Sequence, residues 1–286
     1  MGMGLIKYDI EKYSPKQLVI IPLVLLAISI VLLALNMATT GMPVTPGIDF
    51  SGGTAVTVIT PDTADQIRAT FSGYPLIDVS EGVSNGKFLK FSSMDDAKYQ
   101  SLTSLVTEKY PDAQINQIGE SFGKTLQYQA VIALIFSFIG MAIVIFLAFR
   151  TFVPAVAVIL SAFADMIMTA AAMNVIGIPL SLGTVAALLM LIGYSVDSDI
   201  LLTNRVLKRQ GKLNDKLTGA FQTGIIMTST TLAATAALFI VSWLGSVQIL
   251  TEISAVLLIG LVFDILNTWL TNAGILKWYA LKGGIK

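Results

Sequence analysis

The sequence holds no cysteine and no histidine. Without cysteine there is no disulfide framework and no thiolate site, so the redox compartment leaves no trace in the chain. Without histidine the commonest metal ligand and the commonest general base are missing, which argues against a zinc site and a histidine-based triad. Charge is scarce as well. Asp, Glu, Lys and Arg make up 13% of the residues against 55% hydrophobic ones, whereas a soluble domain carries about 25% charge. With a mean hydropathy of +0.77, the chain belongs in a bilayer.

A bilayer core of about 30 Å requires about 20 mostly apolar residues in helix. Six runs meet that length, at 18–37, 128–149, 154–176, 184–204, 218–242 and 250–272. The first follows the polar start MGMGLIKYDIEKYSPKQ. It is too long for a signal peptide and lacks a small-residue cleavage site, so it reads as a retained anchor. Lys7, Lys12 and Lys16 precede the first run, Arg150 lies between the second and third, Arg205, Lys208, Arg209, Lys212 and Lys216 follow the fourth, and Lys277, Lys282 and Lys286 follow the sixth. All fall on one side. The opposite loops, GIPLSLG (177–183) and SWLGSVQI (242–249), carry no charge. The positive-inside rule therefore predicts a multi-pass protein of the cell membrane with both termini, 1–17 and 273–286, in the cytoplasm. Trp243 on the outer side and Trp269, Trp278 and Tyr279 on the inner side suit interfacial belts. The alanines Ala170, Ala171, Ala172, Ala233 and Ala234 suit close helix packing.

The one long loop, 38–127, then faces outward, and its composition is that of a soluble domain. AVTVIT (55–60) alternates with strand period, and PDTADQIRATF (61–71) opens with residues suited to a helix N-terminus. LIDVS (76–80) and KFLKFS (87–92) flank Asn85-Gly86, a hairpin signal. Ser93 followed by Asp96 resembles a capping box, ahead of a helix carrying Tyr99, Leu102, Leu105, Val106 and Lys109 on one face. AQINQIGE (113–120) supplies a last strand. The order is βαββαβ, the ferredoxin-like pattern. The predicted fold class is an all-α membrane bundle of six helices with an extracytoplasmic α+β domain.

GIDFSGGT (47–54) has glycines that invite a phosphate-loop reading, yet it lacks the Lys-Ser/Thr pair and feeds a strand rather than a helix. Read from the residues alone, Gly47, Gly52 and Gly53 permit tight backbone where the chain leaves the membrane, with Asp49 bonding local amides.

Within the membrane runs the conspicuous residues are acids, because a charge at bilayer depth costs at least about 2.5–3.5 kcal/mol on insertion scales. Asp165 lies near the middle of the third run, Asp197 and Asp199 in the inner half of the fourth, and Asp264 in the inner half of the sixth. Glu252 sits near the outer end of the sixth, where water reaches it. At 100° per residue Asp197 and Asp199 are about 200° apart, so their roles differ. Asp197 shares a face with Gly193 and Asn204, and Asp199 with Ser195 and Thr203. The hydroxyl run TSTT (228–231) could bond to carboxyl groups on neighbouring helices. Three readings stand side by side: interhelical adhesion, a proton or cation relay, and an intramembrane aspartyl protease. The protease reading lacks its GxGD setting. The basic run NRVLKRQGKLNDK (204–216) suits a positive inner loop as topology alone requires, or one that touches anionic lipid, ribosome or channel.

GIDFSGGT matches the GxDFxGGT signature of the SecD/SecF family, and GYSVDSDILLTNRVLKR (193–209) is similar to that family's fourth-helix segment GYSVNDTVVVFDRIREN. The resemblance spans nearly the whole chain, and total length and the size of the outer domain resemble the SecF branch. It implies half of an RND-type transporter that is no enzyme and needs no cofactor, metal or nucleic acid. It further implies pairing with a SecD-like subunit beside a SecY-type channel, to assist a translocating polypeptide at the surrounding membrane lipid. The junction motif maps onto Gly47, Asp49, Phe50, Gly52, Gly53 and Thr54, and the helix motif onto Gly193, Tyr194, Ser195 and Arg205. Two departures stand out. The Asn-Asp pair is replaced by Asp197-Ser198-Asp199, and FQTGIIMTSTTL (221–232) lacks the bacterial arginine, a pattern nearer the archaeal type. Arg205, at the interface, reads most simply as a snorkelling side chain. The alternatives are a stand-alone RND-like exporter of lipids or small amphipathic molecules, and a purely structural scaffold.

Overall fold

The computed structural model describes residues 12–82 and 85–284; Lys7 and Lys286 lie outside them. Helix α1 (Pro15–Thr40) starts at a capping box in which Ser14 and Gln17 each bond the other's backbone, with Pro15 in the first turn, where a missing N–H costs nothing. It ends at Gly41 in the left-handed region, φ 79°. A single turn, α2 (Ile48–Ser51), then leads into the outer domain.

That domain runs β1 (Gly53–Ile59), α3 (Ala64–Thr70), β2 (Leu76–Glu81), β3 (Gly86–Phe91), α4 (Asp96–Lys109), β4 (Gln114–Ile118). The sheet order is β2-β3-β1-β4, and every neighbouring pair is antiparallel. This is the βαββαβ arrangement. Helices α3 and α4 cover the face that carries Val56, Val58, Val79, Leu89 and Phe91, and contribute Ile67, Leu102 and Val106 to the same core. Phe71 packs edge-on against Phe91 at 5.5 Å. The cap of α4 is Asp95, whose side chain accepts from the Lys98 amide. Ser93 is therefore not the cap, because Asp95 stands immediately before the first helical residue and reaches the third amide directly. Beside this core the Tyr110 hydroxyl donates to Asp62 Oδ2 at 2.7 Å. Burial first, and then the hydrogen-bonded carboxylate, push the phenol pKa above its ordinary value.

Among the described residues, six helices are long and apolar enough to cross a membrane. After α1 they are α5 (Glu120–Phe149), α6 (Phe152–Ile176), α7 (Leu182–Lys208), α8 (Leu213–Leu244), and a last span, Gln248–Gly283, composed of α9 (Gln248–Leu266), a π-helical stretch Asn267–Asn272 and α10 (Ala273–Tyr279). Helices α6 and α7 are the buried centre of the bundle, whereas α5 and α8 lie at its edge. Ala170 and Ala171 are buried, but Ala233 and Ala234 are exposed on α8. The expected close packing at those two positions is not made within this chain. Trp269 is also buried, at 3% exposure, edge-on to Phe221 and seated against Gly224. It is a core residue rather than part of an interfacial belt, because the π-helical stretch turns it inward. Trp243 and Trp278 are exposed.

Candidate functional site

Three of the four flagged aspartates converge where α6, α7 and the π-helical stretch meet. All three are almost fully buried. Asp165 accepts from Ser195 Oγ on α7 at 2.5 Å and from Asn267 Nδ2 at 2.6 Å. Asp199 Oδ1 accepts from Thr268 Oγ1 at 2.9 Å and Asn272 Nδ2 at 2.8 Å. Asp264 faces Ser198 Oγ at 3.0 and 3.1 Å, and Thr268 Oγ1 at 3.1 Å.

The hydrogens in this network are fewer than its acceptors. Thr268 has one hydroxyl hydrogen and stands within reach of both Asp199 and Asp264; Ser198 has one hydrogen and faces both Asp264 oxygens, the Ser195 carbonyl and the Thr268 hydroxyl. Asp199 Oδ2 and Asn272 Oδ1 are buried and make no hydrogen bond of normal geometry among the described residues, although the buried Ser161 hydroxyl, itself unbonded, lies close enough to Asp199 to donate to it. No Lys or Arg forms an ion pair with any of the three carboxyl groups among those residues. Unpaired negative charge in such a place costs several kcal/mol per ion, and a proton or a cation taken up among these oxygens removes that cost.

The backbone explains the gathering. Asp264, Thr268 and Asn272 follow one another at four-residue steps, and the i→i+5 bonding of residues 267–272 brings Asn267 and Thr268 to the same interior side. π-Helical turns recur at functional sites. Ser198, Asn267, Thr268 and Asn272 escaped the sequence reading. The available signal was the polar series at 264, 267, 268, 271 and 272 within an apolar helix, which has helical spacing.

Asp197 is elsewhere. It is exposed, with Gly193 and Tyr194, on the opposite face of α7, as the 200° separation requires. It borders an open groove of about 610 Å³ with Asn204, Arg205 and Met227. Arg205 is half-buried at the end of α7 and is held by protein groups. Its guanidinium donates to the Gly219 carbonyl at 2.5 Å and to Thr223 Oγ1 at 2.7 Å, joining the end of α7 to the start of α8. Nor does the TSTT run reach the carboxyl groups: Thr230 and Thr231 both donate to the Met227 carbonyl of their own helix.

The junction motif is a second constellation. Asp49 Oδ2 accepts from the Leu182 amide at 2.8 Å. It thus bonds the first residue of α7, 133 positions away, rather than local amides, since the single turn of α2 aims the side chain outward from its own backbone. Gly47 donates to the Leu180 carbonyl at 2.7 Å, and Leu180 donates back to Thr45 at 2.8 Å. Asn174 at the end of α6 completes the clamp by donating to the Pro43 carbonyl at 2.7 Å and accepting from the Thr45 amide at 3.1 Å. Phe50, at 2% exposure, plugs a pocket of Leu126, Ala130 and Val185 between α5 and α7. Gly52 has φ 74° and ψ 166°, and a Cβ there would lie 2.7 Å from Glu120 Cα. Gly53 has φ 134°, and its Cβ would strike the Phe91 carbonyl. Thr54 is buried as the second residue of β1.

Two constellations, an intramembrane acid network and a glycine-rich clamp, thus sit on a six-helix bundle bearing one βαββαβ domain. Residues 98–282 match the family model described as "Protein export membrane protein SecD/SecF, C-terminal". The chain belongs to the SecD/SecF family. That family comprises membrane transport proteins, not enzymes. The protein-export membrane protein SecF of Methanolacinia petrolearia is 58% identical over 99% of this chain and 100% of its own length. The SecF of Pyrococcus furiosus is 40% identical over 94% of this chain and 92% of its own. Among solved structures, SecDF from Thermus thermophilus, titled a translocon-associated membrane protein, superposes with a TM-score of 0.77 at 20% identity. It shares the fold over 98% of this chain, which spans 40% of that longer chain. A SecDF structure in a super-membrane-facing form superposes with a TM-score of 0.60 over 92% of this chain.

Proposed function

We propose that this protein is the SecF-type subunit of a two-chain export accessory, working beside the translocation channel, with both termini in the cytoplasm and the βαββαβ domain outside. The observation that carries the reading is a difference in length. The SecF relatives match this chain over 92% and 100% of their own length, while the solved SecDF is a longer chain of which this fold spans 40%; a SecD-like partner is the counterpart this reading assigns to the rest. The exposed faces of α7 and α8, with Tyr194, Asp197 and Met227 and the uncovered Ala233 and Ala234, offer the surface for that chain. The outer domain handles the emerging polypeptide and moves against the bundle about the junction at Gly52 and Gly53.

In this reading Asp165, Asp199 and Asp264 form the ion-responsive element. Three carboxyl groups share too few hydroxyl hydrogens, and a proton or cation that enters or leaves changes which of α6, α7 and the last span they bind together. Mild-detergent purification of the tagged protein, followed by mass spectrometry of bound chains, tests the assignment. Recovery of a SecD-like chain supports it. Recovery of a homo-oligomer that carries lipid or a small amphipathic molecule would favour the stand-alone exporter.

A further inference from the structure

The start of α1 and the end of the last span, beginning two residues beyond Asn272 of the acid network, line an apolar groove of about 450 Å³. Its walls include Val19, Ile20, Gly274, Ile275 and Trp278, and Lys16 stands at its edge. The two helices approach closely because position 274 is glycine: a Cβ there would lie 2.6 Å from Val19 Cγ2. Lys277 ties the end of the span to the segment before α1 by donating to the Tyr13 carbonyl at 2.7 Å. The groove is thus a fixed feature of the bundle.

Charge gathers at one end of it. Lys12 precedes α1, Lys16 lies in its first turn, and Lys282 holds its ammonium 4.6 Å from the centroid of the Trp278 ring. All three lysines are exposed, and residues 265–284 include no Asp or Glu, whereas Asp9 and Glu11 precede Lys12 in the sequence. The groove wall on α1, Pro15 to Leu23, spans nine residues, about 13 Å at 1.5 Å per residue. A leaflet is half of a core of about 30 Å. The groove therefore fits one acyl chain in one leaflet and is too short for a membrane-spanning partner helix. Trp278 stands at the headgroup level, where an aromatic ring with an apolar body is favoured.

We propose that this groove is a binding site for an anionic phospholipid, one chain lying against Val19, Ile20 and Ile275 and the headgroup phosphate held by Lys16 and Lys282. The site lies on a different face from Asp197 and does not rest on the assignment of the export partner.

Native mass spectrometry of the full chain in detergent, titrated with phosphatidylglycerol or with phosphatidylcholine of the same chains, tests it. The wild type should retain its first phosphatidylglycerol in clear preference to phosphatidylcholine. Each lysine near an anionic headgroup contributes about fivefold, so Lys16→Gln with Lys282→Gln should weaken phosphatidylglycerol binding by about thirtyfold. Ile20→Trp, which fills the groove and leaves the charges in place, should weaken both lipids. Arg68→Gln with Lys98→Gln, exposed on α3 and α4 of the outer domain, should change neither. Equal retention of the two lipids would overturn the proposal. So would an unaltered affinity in the Lys16/Lys282 variant, or an equal loss in the outer-domain variant.

Discussion

Gly52→Ala should loosen the junction between the outer domain and the bundle, and its size can be worked from the backbone. At φ 74° and ψ 166° the residue occupies a region that is almost exclusive to glycine, and holding another residue there costs about 1–3 kcal/mol. The added methyl would also lie 2.7 Å from Glu120 Cα and 2.9 Å from Glu120 N. These are backbone atoms at the start of α5 and cannot swing aside, so the overlap costs about 1–3 kcal/mol more. The sum is about 2–6 kcal/mol, and at about 2–4 °C per kcal/mol the loss in melting temperature is roughly 5–20 °C. Gly73→Ala is the control. Nothing lies within 4 Å of its Cβ position and its φ lies outside the positive range, so its effect should stay within about 0.5 kcal/mol. The assay is thermal unfolding of the full chain in detergent, with the two variants side by side. Equal melting temperatures for Gly52→Ala, Gly73→Ala and wild type would refute the reasoning, because neither the backbone region nor the contact with α5 could then be as described.

Asp49→Ala should free the Leu182 amide at the start of α7, cost about 1 kcal/mol as lost helix caps do, and speed hydrogen exchange in that first turn; unchanged exchange there would deny the clamp. Tyr110→Phe removes a hydrogen bond to a carboxylate, worth about 1.5 kcal/mol at this partly exposed position. Because the folded phenol titrates above its ordinary value of 10.0, the wild-type advantage should be complete below that pH and shrink as pH rises beyond it. An advantage that grows with alkalinity would reverse the assigned sign. Arg205→Lys replaces a planar fork that serves both Gly219 and Thr223 with a point charge suited to one acceptor. It should lower stability by about 1 kcal/mol, and Arg205→Met should lower it further in the same melting assay.

Much of the architecture is legible in the sequence because it follows from local patterns. Six apolar runs give six spans, and strand alternation with Asn85-Gly86 gives the outer sheet. Which acids meet is only half legible. The 200° rule separates Asp197 from Asp199 correctly, since it depends on one helix alone. The helical spacing of 264, 267, 268, 271 and 272 puts the partners of Asp199 on one face of the last span, but spacing within one helix does not tell which neighbour that face meets, here α7. For Asp49 the sequence suggests nearby amides, because its partner, Leu182, is remote in sequence and is brought close by the clamp at Thr45, Gly47 and Asn174. The same limit explains Arg205 and Trp269. Residue type suggests an interfacial place for each, while the packing of α8 against its neighbours places one in a staple and the other in the core.

The central claim is that the buried network, and not the exposed Asp197, links an ion gradient to export. The direct measurement is export of a polypeptide into membrane vesicles, with and without an imposed gradient, for Asp165→Asn, Asp199→Asn and Asp197→Asn. Each amide keeps the shape of the side chain it replaces and removes its capacity to ionise. The account predicts that stimulation by the gradient is lost in Asp165→Asn and in Asp199→Asn and retained in Asp197→Asn, with comparable melting temperatures. Full stimulation in the Asp165→Asn, Asp199→Asn double variant would contradict it and leave the three carboxyl groups as interhelical adhesion.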